Sequence, residues 1–197
     1  MADARSLSAE ALEGARRTAG AANGQALVVL VTKFREARHV LPWLVNAVAH
    51  LPDIHLAIKT HPAETPEVYA PVVGGASNVR VLPASAPLAP LLSAARAVAT
   101  VNSTVALDAA VLGIPALVIG LPNNLSPFVE AGVMAGADEG NIAAALNRIL
   151  YDEGFRQQLE ASRSVFLACY GIASDGRAAT RSADAIVALA AQARDSR

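Results

Sequence analysis

The feature that most constrains this 197-residue chain is a regular alternation of short apolar runs with segments of helical pattern. The first run, Ala26–Thr32, reads ALVVLVT and is apolar until its last residue. Such a strand is typical of a parallel sheet covered on both faces, because neither side of the strand then meets water. Four further strands are predicted, at Ile54–Lys59, Val79–Leu82, Ala97–Val101 and Pro115–Ile119.

Helices are predicted between these strands, at Leu41–Leu51, Pro66–Val73, Leu88–Ala95 and Ser103–Leu112. Alternation of strand and helix over about 95 residues predicts an α/β fold with a doubly wound parallel sheet. Residues 121–138 are predicted to be rich in loops. Three closing helices are predicted after them, at Asn141–Tyr151, Phe155–Cys169 and Ala178–Ala193.

The chain is predicted to form a single domain over residues 26–197, since its length is ordinary for one domain with a real core. Residues 1–25 are predicted to be a helical lead-in that lies outside the core. The helical stretch is predicted from Ser8 to Arg17, with Ser8 as the expected N-cap and Gly20 and Gly24 as the residues that end it.

Composition excludes several classes of protein. With 17 carboxylates against 16 Lys and Arg, the net charge of −1 argues against a dedicated nucleic-acid binder. The single cysteine rules out a disulfide scaffold and a multi-cysteine metal site. The sequence has neither an apolar run of about 18 residues nor a signal-peptide pattern, so we expect a cytoplasmic location or one at the inner face of the membrane.

Two loops at the carboxyl ends of the strands carry cationic residues. After the first strand, Lys33 and Arg35 either hold an anion or are ordinary solvated charges. After the second strand the chain reads Lys59-Thr60-His61-Pro62. A lysine and a histidine can neutralise a phosphate and donate hydrogen bonds to its oxygens, whereas the alternative is a loop histidine with no role.

A third loop, Asn102-Ser103-Thr104, precedes a predicted helix. Small polar side chains beside the free amides of a helix N-terminus favour an anion, although the same residue types are ordinary N-caps. Asp108 follows about one helical turn later. Its carboxylate suits a ribose diol, or it is a solvated helix charge.

Taken together, the three loops lie at one edge of one sheet, where ligands of such folds bind. They combine cations, an imidazole and a helix N-terminus, which suits a nucleotide phosphate. The sequence lacks the glycine fingerprint of dinucleotide folds, the P-loop and the GxSxG elbow. His39, His50 and His55 show no metal-ligand spacing. We therefore predict neither a metal nor a cofactor.

These motifs, with Gly113-Ile114-Pro115 and Asp175-Gly176-Arg177-Ala178, resemble the C-terminal half of GT-B-fold glycosyltransferases. The resemblance spans about residues 26–190. It is strongest to the group with HP and ST motifs, which includes capsule polysaccharide transferases and CDP-glycerol glycerophosphotransferases. It implies a Rossmann-like lobe that binds a nucleotide-activated donor, from which sugar or glycerophosphate is transferred in surface polysaccharide synthesis.

The resemblance also implies roles for individual residues. His61 would be the catalytic group, stabilising the departing phosphate together with Lys59. Ser103 and Thr104, with Asn102 before them, would bind phosphate at the helix N-terminus.

Beyond the phosphate, Asp108 would hold the ribose, where the family more often has Glu. Asn123 and Asn124, in the loop after the fifth strand, would face the sugar or the acceptor.

A full GT-B enzyme has two lobes and about twice this length. The chain is therefore expected to be an excised C-terminal lobe, to pair with an N-terminal lobe on another chain, or to be a module of its own, and to be inactive without its partner lobe. The alternatives are a lobe like that of UDP-N-acetylglucosamine 2-epimerase and a non-catalytic nucleotide-binding or interaction module. We expect apolar surface near residues 170–190, through which the chain self-associates.

Overall fold

The computed structural model describes residues 7–173 and 175–195. In that part of the chain, six strands form one sheet with the order β3-β2-β1-β4-β5-β6. The strands are β1 Ala26–Val31, β2 Ile54–Lys59, β3 Val79–Leu82, β4 Ala97–Thr100, β5 Ala116–Ile119 and β6 Ala135–Ala137. All neighbouring strands pair in parallel. The predicted fold class, a doubly wound α/β sheet of Rossmann-like type, is confirmed.

Ten α-helices accompany the sheet within the described ranges. They are α1 Ala9–Ala19, α2 Phe34–Ala37, α3 Leu41–Ala49, α4 Ala70–Val73, α5 Leu88–Ala94, α6 Val105–Leu112, α7 Ser126–Glu130, α8 Ile142–Tyr151, α9 Glu153–Cys169 and α10 Ala178–Asp195. A short 3-10 turn, Pro66–Tyr69, leads directly into α4.

The core lies on both faces of the sheet because successive strand residues point to opposite sides. Leu27 and Val29 belong to the cluster that packs under α1 and α5. Val28 and Leu30 belong to the larger cluster, which includes residues of α3, α8 and α9. All four side chains are buried, which explains why β1 is apolar at every position.

Helix α1 is part of the core. Its predicted N-cap is confirmed, because the Ser8 hydroxyl accepts a hydrogen bond from the Ala11 amide at 3.2 Å. The helix runs two residues beyond Arg17 and ends at Gly20, the first of the two expected glycines, with φ 88°. However, Ala19 and Ala21 are buried in the cluster beneath α1 and α5. The expectation that this segment lies outside the core is therefore wrong, because its small alanines let the helix pack closely against α5 and join the same apolar cluster. The division of the chain at residue 25 stays a prediction.

Residues 121–138 contain two elements, α7 and β6, where a loop-rich stretch was expected. Strand β6 pairs with β5, although it reads Ala-Gly-Ala and has no β-branched residue. A side chain at Gly136 would place its Cβ 2.7 Å from Leu121 and 2.8 Å from Val129. Strand β6 therefore forms because it packs closely and pairs with β5, and not because its residues favour a strand.

Helix α10 exposes apolar side chains, with Ile186, Val187 and Leu189 each about two-thirds accessible. Tyr170 and Ile172 before it are also exposed. The expected apolar surface near residues 170–190 is thus observed, and self-association through it remains a prediction. None of the helices in the described ranges is long and apolar enough to cross a membrane.

Candidate functional site

A cavity of about 560 Å³ opens at the carboxyl edge of the sheet. The loops that follow β1, β2, β3 and β4 line it, and its volume is within the range of small-molecule sites, about 300–1,000 Å³. The chain runs outward from β1 to β2 and β3, and then returns to place β4 on the other side of β1. The cavity therefore sits where the strand order reverses, which is where doubly wound sheets bind their ligands.

The cavity brings together six of the ten residues singled out from the sequence. They are Lys33, Lys59, His61, Asn102, Ser103 and Thr104. The other four, Arg35, Asp108, Asn123 and Asn124, do not line it. The three loops that were predicted to lie at one edge of the sheet, those after β1, β2 and β4, all line this cavity.

Lys59 is buried in the cavity wall, with 6% of its surface exposed. Its ammonium group donates hydrogen bonds to the carbonyl oxygens of Thr60 and Ala84, each at 2.8 Å. Burial lowers the pKa of Lys59 from its ordinary value. The residue therefore joins the loops after β2 and β3, in addition to bringing a positive charge to the cavity.

One ring nitrogen of His61 is hydrogen-bonded to the protein backbone. Its Nδ1 lies 3.1 Å from the amide of Ala63 and accepts a hydrogen bond from it. A nitrogen that accepts a hydrogen bond carries no proton, so the neutral ring holds its proton on Nε2. Nε2–H is then the group that His61 offers to a ligand.

The N-terminus of α6 is built by Ser103 and Thr104. The helix begins at Val105, two residues later than predicted, with Thr104 as its N-cap. The Ser103 hydroxyl accepts a hydrogen bond from the Val105 amide at 3.2 Å, which fixes the turn that enters the helix. The Ser103 amide donates to the Thr100 hydroxyl. For the Thr104 amide the described residues show no partner. That amide and the Ser103 hydroxyl proton are therefore available to an anion.

The asparagine side chains hold the loop after β5 in place. The Asn123 amide group donates to the Val101 carbonyl at 2.8 Å, and its oxygen accepts from the Leu125 amide. Asn102 accepts from the backbone of Asn124. The side chain of Asn123 is thus engaged with the backbone, and its contact with a sugar or acceptor stays a prediction, as does that of Asn124.

Arg35 and Asp108 lie farther from the cavity. Arg35 is exposed on α2. Asp108 lies four residues after Thr104 on α6, so it shares a helix face with that cavity residue. Burial raises the pKa of Asp108. Its proposed contact with a ribose remains a prediction.

Two threonines of the cavity were not singled out from the sequence. Thr32 and Thr60 are buried, and within the described ranges their hydroxyl groups have no hydrogen-bond partner. Buried hydroxyls are normally paired, so these two are unsatisfied polar groups in the cavity wall. A signal was present in the sequence, because a threonine lies at the carboxyl end of three strands that are neighbours in the sheet: Thr32 after β1, Thr60 after β2 and Thr100 as the last residue of β4.

The charges around the cavity favour an anion, since Lys33 and Lys59 outnumber the single carboxylate of Glu36 among its lining residues. The described part of the chain contains no cluster of three His, Cys, Asp or Glu residues suited to a metal. That chemistry proceeds here without a metal stays a prediction.

Solved structures with the same fold include sugar-processing enzymes. WaaG, a glycosyltransferase involved in lipopolysaccharide biosynthesis, aligns with a TM-score of 0.62 and 18% identity, over 88% of this chain and 50% of its own. The calicheamicin glycosyltransferase CalG4 aligns with a TM-score of 0.62 and 20% identity, over 87% and 45%. UDP-GlcNAc 2-epimerase from Neisseria meningitidis, bound to UDP-GlcNAc, aligns with a TM-score of 0.58 and 16% identity, over 81% and 47%.

No protein-family profile and no curated protein sequence matches the chain. The chain spans about half the length of the solved structures named above. At these identities the likeness shows the fold, which is the one shared by nucleotide-sugar glycosyltransferases and 2-epimerases.

Proposed function

We propose that this chain is the donor-nucleotide-binding lobe of an enzyme that uses a nucleotide-activated sugar. The observation that carries the proposal is the cavity at the strand-order reversal, where Lys33, His61 and the N-terminus of α6 meet. These groups supply a cation, an imidazole N–H and a free helix amide. That set suits the phosphates of a nucleotide, which place negative charge at several oxygens.

In a transfer reaction, negative charge grows on the phosphate as the nucleotide leaves. Donors that are already in place stabilise that charge without reorganising at the moment of reaction. Here these donors are His61 Nε2–H, the Lys33 ammonium, the Ser103 hydroxyl and the Thr104 amide. His61 is the proposed catalytic residue, because it would contact the departing phosphate directly.

The finer proposal is transfer of a sugar or glycerophosphate in surface polysaccharide synthesis, as in enzymes with HP and ST motifs. It rests on Lys59-Thr60-His61-Pro62 and Asn102-Ser103-Thr104, which the fold brings to one cavity. The N-terminal lobe, on the same or another chain, would supply the acceptor contacts and is required for turnover. We propose that the reaction needs neither a metal nor a bound cofactor and that it takes place in the cytoplasm.

The direct test is calorimetric titration of the purified chain with CMP, CDP, UDP and their sugar conjugates. One nucleotide should bind, and His61→Ala and Ser103→Ala should each weaken that binding. The matched controls are His50→Ala and Ser77→Ala, since both residues are exposed and neither lines the cavity. Absence of binding by every nucleotide, with a folded protein, would favour a non-catalytic interaction module.

The second candidate is a 2-epimerase-like lobe, and a specific observation favours it. The S. aureus MnaA–UDP complex and the N. meningitidis epimerase have the same fold at TM-scores of 0.56 and 0.58. An epimerase lobe would bind UDP and UDP-GlcNAc in preference to cytidine nucleotides. A preference for CMP or CDP in the titration would remove this candidate and retain the transferase.

A further inference from the structure

Glu64 links the two loops that carry Lys33 and His61. Both of its carboxylate oxygens lie 2.9 Å from the backbone amide of Phe34, thirty positions earlier in the chain. Phe34 opens α2 immediately after Lys33, and helix α2 has no side-chain cap of its own from Lys33. Glu64, which lies in the loop of His61, therefore caps helix α2, for which the loop of Lys33 provides no side-chain cap.

Tyr69 holds the carboxylate from the other side. Its hydroxyl donates to Glu64 Oε2 at 3.0 Å and lies 3.4 Å from the Thr32 carbonyl, within donor reach. The ring is fully buried and packs edge-to-face against Phe34, with 5.2 Å between centroids. Burial and the Glu64 carboxylate raise the pKa of Tyr69, so the hydroxyl keeps its proton at neutral pH. We name the Phe34 amide, the Glu64 carboxylate and the Tyr69 hydroxyl the Glu64 clamp.

The clamp reaches both cavity residues through short stretches of backbone. Lys33 directly precedes the clamped amide of Phe34. On the other loop, the Glu64 amide donates to the His61 carbonyl at 2.9 Å, and the Ala63 amide donates to the His61 ring. The segment from His61 to Glu64 is thus one hydrogen-bonded turn, anchored at its end by the carboxylate. Movement of Glu64 would change the spacing between Lys33 and His61.

We propose that Glu64 is a positioning residue, which fixes the separation of Lys33 and His61 and so shapes the site for a phosphate-bearing ligand. The identity of that ligand rests on the proposed function, whereas the coupling of the two loops does not. A carboxylate is suited to this task because hydrogen bonds to an ionised acceptor are shorter and stronger than neutral ones. Its charge is directed at two protein donors, which limits its repulsion of a phosphate.

The test compares Glu64→Ala and Glu64→Gln with the control Glu67→Gln. Glu67 lies in the same segment, is exposed and makes no contact with the clamp, so its substitution removes the same charge without breaking it. Glutamine at position 64 keeps an acceptor for the Phe34 amide and is the conservative rescue. Tyr69→Phe removes only the hydroxyl and retains the buried ring, which tests the clamp independently should Glu64→Ala fail to fold.

Two readouts separate the clamp from the ligand. The first is NMR of the ligand-free protein, following the His61 ring and the Lys33 amide. The second is calorimetric affinity for UDP, CDP and inorganic pyrophosphate. We expect Glu64→Ala to shift both sets of NMR signals and to weaken nucleotide binding by about tenfold, the size of effect expected when a hydrogen bond to a charged group is lost. Glu64→Gln should fall between Glu64→Ala and wild type, and Glu67→Gln within about twofold of wild type.

The outcomes are distinguishable. The first outcome is that the His61 and Lys33 NMR signals shift no more in Glu64→Ala and Tyr69→Phe than in the control Glu67→Gln. That result would refute the coupling of the two loops through the clamp. Shifted signals with unchanged nucleotide affinity would overturn its role in shaping the site. Failure of wild-type protein to bind any of these three probes or CMP would refute the proposed function, and the NMR comparison alone would then decide whether Glu64 couples the loops.

Discussion

Replacing Lys59 by methionine tests whether this residue is a structural link or mainly a ligand contact. Its ammonium group makes two hydrogen bonds of 2.8 Å to backbone carbonyls while only 6% of the residue is exposed. Methionine has a similar length and suits a buried position, so the substitution removes the two bonds and the charge while keeping most of the packing.

The expected loss of stability follows from these contacts. A hydrogen bond from a charged donor contributes about 1.5–3 kcal/mol, so two would contribute about 3–6 kcal/mol. Part of this is offset, because burial of the ammonium group is itself unfavourable, as its lowered pKa indicates. We therefore expect Lys59→Met to lower the free energy of unfolding by about 3 kcal/mol. For a domain of this size that corresponds to a fall in Tm of about 6–12 °C.

The assay is urea unfolding followed by circular dichroism, with nucleotide titration in parallel. Lys33→Met is the matched control, since Lys33 lines the same cavity but is exposed. It should weaken nucleotide binding and change the unfolding free energy by less than about 0.5 kcal/mol. Equal stability of Lys59→Met and wild type would refute the structural role, and loss of binding alone would identify Lys59 as a ligand contact.

Three further substitutions test other parts of the fold. Burial lowers the pKa of His55 below 6.5, so the unfolded chain binds the His55 proton more tightly than the folded chain does. The free energy of unfolding in urea should therefore fall as the pH drops through 6.5 toward the folded pKa. His55→Gln should remove that pH dependence. The buried Asn78 side-chain nitrogen lies within hydrogen-bond distance of three backbone carbonyls, which share its two N–H groups. Asn78→Ala should therefore cost about 2–4 kcal/mol in the same assay, and an unchanged midpoint would contradict this. Gly136→Ala should lower the free energy of unfolding by about 1–3 kcal/mol, because the added Cβ overpacks the site. Gly75→Ala is the control: no atom lies near its Cβ, so its thermal melt should stay closer to that of wild type than the melt of Gly136→Ala.

Much of the sheet could be predicted because β1 and β5 are apolar at every position, and β2 and β4 are mostly apolar. The predicted bounds of β2 and β3 are those observed, and β1, β4 and β5 differ by one residue at one end. Strand β6 could not be predicted in the same way. Its three residues, Ala135 to Ala137, carry no β propensity, and pairing with β5 is a long-range contact that local pattern does not reveal.

The candidate site was predictable in its position and less so in its details. Parallel strands end at one edge, so the loops with Lys33, His61 and Ser103 had to meet there. The side chain of Asn123 shows why the details could not be predicted. The sequence alone does not distinguish an asparagine that hydrogen-bonds to the backbone from one that faces a ligand. Glu64 shows another, since its partner is thirty residues away and only the folded chain brings the two together.

Helix α10 carries a further consequence for the energetics of the chain. All of its described side chains are exposed, so the packing of the sheet does little to stabilise it. Helices in proteins owe most of their stability to tertiary packing, which this 18-residue helix lacks. It is therefore a separate cooperative unit, whose amide hydrogens should exchange with solvent while those of β1 and β4 remain protected. Self-association through Ile186 and Leu189 would therefore first become visible as slower exchange along this helix.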